Sequence, residues 1–218
     1  TARTVQSKLR DVVSVLDFGV NTVPGTTDMT AAIQAAIDAI HAAGGGTVII
    51  PAGVYAISST ITIKSYTNIL GSYGESSLGG VVSTKDGTEL KWVGAANGTM
   101  VSMYNARLFR LDGIYLEGNG ITGLTGMLLD TNNTPSGSQN EIQRFSIRRC
   151  LIGVKWGTSG IAGGSYANDG IRFSTFTIWS EEALSKGFVI NSGNAGQESV
   201  IESGGIQVQS IGIDIVVS

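Results

Sequence analysis

The chain has 218 residues, of which 42% are hydrophobic and 14% are charged, and its formal net charge is −3. This composition supplies a sizeable core for one or two domains and excludes a disordered chain. The acidic balance without a basic patch argues against a nucleic-acid partner, and no apolar run is long enough to insert into a membrane.

Glycine, cysteine and histidine counts narrow the class further. The 31 glycines and only 3 prolines suit many tight turns between short strands. Cys150 is the single cysteine and therefore forms no internal disulfide. With one histidine and one cysteine at no clustered spacing, the sequence predicts neither a metal site nor a cofactor.

The first 55 residues predict one helix between short strands. The sequence predicts a helix over residues 30–42. Its apolar stripe at helical spacing begins one residue earlier and consists of Met29, Ile33, Ala36, Ile37 and Ile40. Asp28 is placed to cap the helix, Gly44–Gly46 end it, and Thr47–Ile50 form a β-branched strand. We expect this single amphipathic helix to cover the open end of a stack of strands.

A repeat follows in the second half of the chain and predicts a solenoid. Its units, spaced by 36, 31 and 30 residues, are Phe109-x-Leu111-x-x-Ile114, Phe145-x-Ile147-x-x-Cys150, Phe176-x-Ile178-x-x-Glu181 and Ile206-x-Val208-x-x-Ile211. The first and third residues of each unit are apolar, so alternation along a strand places them inside. Stacked coils would bury these rows against one another, with Phe109, Phe145, Phe176 and Ile206 in one file.

An antiparallel sandwich remains an alternative at this point. Dipeptides that favour hairpin turns occur at Asp86-Gly87, Asn97-Gly98, Asp112-Gly113 and Asp169-Gly170.

The start of the chain also resembles a known superfamily. The segments DFG (17–19), TD (27–28), AAIQAAID (31–38), GGGTV (44–48) and P-x-G-x-Y (51–55) are similar to the entry of the pectate-lyase-like parallel β-helix. The lead-in TVQSKLRDVVSVLDFG (4–19) resembles that of bacteriophage tailspikes and capsule depolymerases. The chain departs from the usual G-D-G turn after this lead-in, since it has VNTVPG at 20–25.

The resemblance implies an all-β fold, a right-handed parallel β-helix with one N-terminal capping α-helix. We expect residues 1–12 to form a neck or linker, 13–46 the cap, and 47–218 the β-helix. Because residues 211–217 are apolar, we also expect the β-helix to continue beyond them or a partner to cover them. The implied setting is a homotrimeric tailspike in the virion tail, joined to other phage tail proteins through an absent N-terminal domain.

Candidate binding residues come from the repeat register. The residue that follows the inward third residue of each unit points outward. These residues predict a ladder of Asp112, Arg148, Trp179 and Gln209, with about 4.8 Å between neighbours. This mixture suits an extended sugar chain, and an ordinary solvated sheet face would show a similar mixture. Asp169, in the glycine-rich loop 163–170, is a further candidate for binding.

Glycoside hydrolysis needs two carboxyls, and the sequence does not choose the pair among Asp112, Asp169, Glu181, Glu182, Glu198 and Glu202. The predicted catalytic residues are Glu181, Glu182 and Asp112. Glu181 occupies an inward slot of the repeat, where burial would raise its pKa as a general acid requires. Alternatively, the strand slips, Ala183 or Leu184 fills that slot, and 179–182 loop out. A lyase would need a base and a cation, and the cation could come from Arg144, Arg148, Arg149 or Arg172, unless Glu141 and Glu117 pair with them.

Three functions therefore remain open. The chain is a tailspike piece that binds and depolymerises a bacterial capsule or lipopolysaccharide O-chain, as hydrolase or lyase. Otherwise it is a non-catalytic adhesion shaft, or a bacterial pectate-lyase-like enzyme.

Overall fold

The computed structural model describes residues 11–73, 87–130, 139–157, 170–192 and 199–217. It has one α-helix, α1 (Thr30–Ala42), and a short 3-10 helix (Val15–Asp17). The strands are β1 (Val12–Ser14), β2 (Gly46–Ile50), β3 (Gly53–Ile57), β4 (Ile61–Thr62), β5 (Thr67–Gly71), β6 (Thr88–Trp92), β7 (Thr99–Tyr104), β8 (Arg110–Asp112), β9 (Ile114–Glu117), β10 (Thr125–Asp130), β11 (Asn140–Arg148), β12 (Ile152–Trp156), β13 (Ile171–Trp179), β14 (Lys186–Ser192), β15 (Val200–Gln207) and β16 (Ile211–Val217).

All pairings between these strands are parallel, so the antiparallel sandwich is wrong. Each strand pairs with its counterpart one turn of chain later, in a 10-stranded and a 6-stranded sheet. Parallel neighbours joined by crossovers wind right-handed. The predicted right-handed parallel β-helix with one helix near its start is confirmed.

The coils have three faces. Face 1 contains β2, β5, β8 and the first halves of β11, β13 and β15, whereas face 2 contains β3, β6, β9 and the second halves. Face 3 contains β4, β7, β10, β12, β14 and β16. Faces 1 and 2 meet at aligned residues with left-handed backbone, which are Gly113, Arg144, Thr175 and Ser203. One left-handed residue per coil marks the bend, and the pairing of β11 with β13 and of β13 with β15 resumes at the next residue.

The core consists of side chains aligned along the axis. On face 2, the fully buried Ile147 pairs with Ile178, and Ile178 with Ile206. The Phe145 and Phe176 rings stack with centroids 5.2 Å apart. This row of aligned isoleucines, the isoleucine file, faces three glycines of face 3 across the core. A Cβ atom on any of these glycines would point at an isoleucine side chain, and they are Gly126, Gly153 and Gly187.

The predicted single file of repeat residues is partly wrong. Phe145 and Phe176 are aligned, but Gly204 lies beside Phe176 and Ile206 lies two residues further along. Phe109 precedes β8 on face 1, where its carbonyl accepts the Glu141 N–H, so it is not in line with Phe145. An apolar pair two residues apart occurs on every face of such a coil, and the pattern alone does not identify the face.

The helix α1 covers the first coil, and its predicted apolar stripe is buried. The Asp28 carboxylate accepts the Thr30 N–H at 3.0 Å, and Gly45 N–H donates to the Ile40 carbonyl at the other end. Gln34 fixes the helix to β4 by two hydrogen bonds with the Thr62 backbone. Among the described residues, no helix has the length and apolarity needed to cross a membrane.

Candidate functional site

The outward side chains of face 2 form a column along the axis, which we call the face-2 column. Its members in successive coils are Lys91, Glu117, Arg148, Trp179 and Gln207. Neighbouring strands place them about 4.8 Å apart. The column offers two cations, a carboxylate, an indole and an amide in one line.

This column corrects the predicted ladder at two of its four positions. Arg148 and Trp179 are neighbours as predicted. Asp112 lies on face 1 beside Gln143, before the bend at Gly113, and Glu117 takes its place. Gln209 lies beyond the end of β15, and Gln207 takes its place. Both errors come from unequal coil lengths, which shift the register by several residues.

Trp179 is half-buried, and the Arg148 guanidinium lies 5.5 Å from its ring centroid. This cation–π contact orients the indole and covers part of it. Within the described residues Arg148 has no ion-pair partner, so its N–H groups can donate to hydroxyl or acidic groups of a ligand. A sugar ring on the indole would therefore lie against a guanidinium.

A cleft of about 210 Å³ flanks the column at the corner between faces 2 and 3. Turns 118–124, 149–151 and 180–185, from three successive coils, build this corner cleft. Its lining consists of Gly120, Thr122, Arg149, Glu181 and Glu182.

Glu181 is exposed, so the reading that placed it in a buried inward slot is wrong. The turn loops out, as the alternative prediction required. Ala183 and Leu184 do not fill the inward slot, however, because both are exposed, and the buried residues of the turn are Ser180 and Ser185. Glu182 accepts the Gly123 N–H at 2.8 Å, which ties two cleft turns together.

Glu117 and Arg149 form the ion pair that lies between the column and the cleft. Arg149 Nε is 2.7 Å from Glu117 Oε1, and this hydrogen bond raises the pKa of Arg149. Glu117 is 5% exposed and also accepts the Asn119 N–H at 2.7 Å. Arg149 is thus paired with Glu117, which is the structural alternative to a role as catalytic cation.

Asp112 is 1% exposed and receives hydrogen bonds from Arg110, Gln143 and Arg144. Burial alone would raise the pKa of Asp112, but the bonds from Arg144 and Gln143 and the charges of Arg144 and Arg110 lower it overall. A carboxyl held ionised and enclosed in this way does not supply a proton, so we place Asp112 outside the candidate catalytic group.

Sequence reasoning missed Glu89, an outward residue of β6 on face 2. Burial raises its pKa, with a further contribution from Glu117 that Arg148, Lys91 and Arg149 partly oppose. Within the described residues, no hydrogen bond or ion pair reaches the Glu89 carboxyl. The alternation in Thr88–Trp92 indicates an outward Glu89, but the neighbours that shift its pKa come from other coils.

Two further predictions concern Asp169 as a binding residue and the absence of a metal site. Asp169 lies outside the described residues. Within those residues, no three His, Cys, Asp or Glu side chains are grouped so that they could hold a metal ion.

Curated relatives come from Azotobacter vinelandii. The chain is 41% identical to mannuronan C5-epimerase AlgE1 over 116 residues, which are 49% of this chain and 8% of that protein. It is 40% identical to alginate lyase 7 over 111 residues, or 46% of this chain and 12% of that protein. The chain therefore matches only a small part of the length of these relatives.

Solved structures support the same fold. The Agl-KA catalytic domain superposes with a TM-score of 0.70 at 17% identity, covering 100% of this chain and 35% of that one. The tailspike protein of E. coli bacteriophage HK620 in complex with pentasaccharide gives 0.64 at 16% identity, covering 96% and 37%.

The family comparison covers almost the entire β-helix. Residues 12–206 match the model described as Rhamnogalacturonase A/epimerase, pectate lyase-like. This range begins at β1 and ends within β15, so it includes α1, all three faces and the corner cleft. The chain belongs to the rhamnogalacturonase A/epimerase, pectate lyase-like family.

Proposed function

We propose that the chain binds a bacterial surface polysaccharide along the face-2 column and cleaves it. The observation that supports this most is the alignment of Glu117, Arg148, Trp179 and Gln207 in four successive coils. A polymer lying parallel to the axis meets a new polar or aromatic group about every 4.8 Å. The indole provides an apolar surface for sugar C–H groups, and its neighbours hydrogen-bond hydroxyls.

Within this proposal, the corner cleft holds a sugar that branches from or follows the column. Glu181 and Glu182 supply carboxylate oxygens to this sugar, and they are the sequence-predicted candidates for catalysis there. Trp179 and Arg148 bind the backbone of the polysaccharide. Gln207 takes the binding role that the sequence assigned to Gln209. Asp169 remains a proposed binding residue.

The proposed setting is a phage tailspike in a virion tail, acting as a homotrimer on a capsule or lipopolysaccharide O-chain. Support comes from the lead-in at residues 4–19 and from a neighbour described as a tailspike in complex with pentasaccharide. In this setting residues 1–12 are the neck, 13–46 the cap and 47–218 the β-helix. Other tail proteins would attach through a separate N-terminal domain.

The test is incubation with purified capsular polysaccharide and lipopolysaccharide O-chains, followed by viscosity, reducing ends and near-ultraviolet absorbance. Hydrolysis lowers the viscosity and produces reducing ends without unsaturated products, whereas a lyase produces both. Binding without any loss of viscosity would contradict cleavage and favour the adhesion shaft. Absence of binding to every polymer would contradict the whole proposal.

A second candidate is chemistry at C5 of a uronate polymer, favoured by relatives named mannuronan C5-epimerase and alginate lyase. Removal of the C5 proton needs a base, and the resulting enolate needs a nearby cation, for which Arg148 is available. Incubation with alginate in heavy water distinguishes this candidate. If the protein is an epimerase, deuterium enters C5 of the uronate while the alginate polymer stays uncleaved.

A further inference from the structure

Glu89 and Glu117 form a pair of carboxyls on adjacent strands of face 2. The register places Tyr115 opposite Glu89 and Glu117 opposite Lys91, so the two glutamates are diagonal neighbours. Strand spacing of about 4.8 Å and a two-residue offset of about 3.3 Å per residue put their backbones about 8 Å apart. Inverting glycosidases separate their two carboxyls by roughly 6.5–9.5 Å, and glutamates that extend outward from diagonal backbone positions are compatible with such a separation.

The two carboxyls have opposite environments. Glu117 is fixed by hydrogen bonds from the Arg149 guanidinium and the Asn119 N–H. Glu89 is half-buried next to Glu117, with no hydrogen-bond partner among the described residues. A carboxyl without a hydrogen-bond partner beside one that is paired with an arginine gives the two glutamates different roles, and a general acid is expected at the position whose pKa is raised.

The charged and titratable groups around Glu89 come from three strands or their ends. Lys91 lies on its own strand, Tyr115 and Glu117 on β9, and Arg148 and Arg149 at the end of β11. On its other side, β3 places the apolar Val54 opposite Glu89. Burial and Glu117 raise the pKa of Glu89 in spite of the three cations. Glu89 therefore keeps its proton to a higher pH than an ordinary glutamate.

Resting on the proposed cleavage of a polysaccharide, we propose that Glu89 protonates the leaving glycosidic oxygen and Glu117 accepts a proton from the attacking water. The bond between C1 and the glycosidic oxygen breaks, and its electron pair stays on the oxygen, which takes the Glu89 proton. The water oxygen bonds to C1 on the opposite side, and its released proton passes to Glu117. The product has the inverted anomeric configuration.

The first experiment titrates the glutamate carboxyls of the full chain by NMR, with 13C at Cδ. The Glu89 signal is assigned by its loss in Glu89→Gln. We expect this signal to titrate above the ordinary glutamate range, and to move down in Glu117→Gln because the neighbouring charge is gone. A Glu89 signal at or below the ordinary range would overturn the proposal, and this result requires no substrate.

The second experiment uses the capsular or O-chain polymer that the wild-type chain cleaves. Glu89→Gln should lower the cleavage rate about 10²- to 10⁴-fold, keep polymer binding within about threefold, and remove the alkaline limb of the pH profile. Glu141→Gln, on exposed face 1, is the matched control and should leave the rate unchanged. Full cleavage by Glu89→Gln, or a retained anomer, would overturn the proposal.

A wild-type chain that binds these polymers but cleaves none of them contradicts the proposed function and the catalytic roles together. The two failures are distinguishable, because the titration of Glu89 reports its protonation whether or not a substrate is found. Circular dichroism of each variant confirms that a lost rate reflects chemistry and not unfolding.

Discussion

Asp112 is a buried carboxylate that three neighbouring side chains hold in place. Its contacts join β8 and β11 at the bend between faces 1 and 2, and one of them comes from the left-handed residue Arg144. The carboxylate therefore stabilises the turn from one face to the next. Its identity as an acid in the sequence suggested catalysis, whereas its partners indicate a structural role.

Replacing Asp112 by Asn should lower the free energy of unfolding by about 1–3 kcal/mol at pH 7, because Arg144 and Arg110 lose their counter-charge. The folded pKa lies below the ordinary 3.8, so this stabilisation is complete above that value and is lost as the pH falls through the folded pKa. Urea unfolding at pH 7 and at pH 2.5 measures the difference.

Glu141→Gln is the control for this prediction, since its contact with Arg110 is long, at 3.5 Å, and exposed. It should change stability by less than about 0.5 kcal/mol. An Asp112→Asn cost that is equal at both pH values would contradict the assigned role.

At the same scale, Trp179→Ala should weaken polysaccharide binding about tenfold, or about 1.4 kcal/mol, because the column loses its aromatic surface. Tyr104→Ala is the comparison, since Tyr104 is an exposed aromatic on β7 of face 3. Isothermal titration with the bound polymer measures both. Equal losses in the two variants would argue against binding on face 2.

At the scale of elements, the glycines of face 3 set how closely the coils approach their isoleucine file. A Cβ on Gly153 would lie 2.7 Å from Ile178 Cγ2 and 2.7 Å from the Gly187 carbonyl oxygen. Gly212, in the same line, has only Ile206 Cγ2 at 3.8 Å. Glycine is thus required in the middle of the stack and not at its end.

Gly153→Ala should therefore destabilise the fold by about 1–3 kcal/mol through overpacking. Gly212→Ala should be neutral or slightly stabilising, because alanine restricts the unfolded chain more than glycine does. Thermal unfolding of both variants measures the contrast. A similar loss at both positions would show that the close approach to isoleucine is not the cause.

The same elements show how far sequence reasoning reaches. The helix α1 was predictable because its periodicity, its Asp28 cap and its terminal glycines are local signals. The register between coils is not local, since it depends on loops of unequal length. For this reason Glu117 and Gln207 were missed in favour of Asp112 and Gln209, and the pairing of Glu89 with Glu117 could not be found.

At the scale of the whole molecule, stacking turns single residues per coil into continuous surfaces. Face 2 presents the column, and the turns beside it enclose the corner cleft with Arg149 between them. The β-helix itself was predictable from the repeat and the resemblance, because both reflect an inward apolar row. Which face carries the site depends on how the coils align.

The most direct test is a crystal structure of the chain with an oligosaccharide of its polymer. The account predicts sugar rings parallel to the axis on face 2, with one ring against Trp179 and within hydrogen-bond distance of Arg148. A ligand bound on face 1 or face 3, with Trp179 and Arg148 uncontacted, would contradict it.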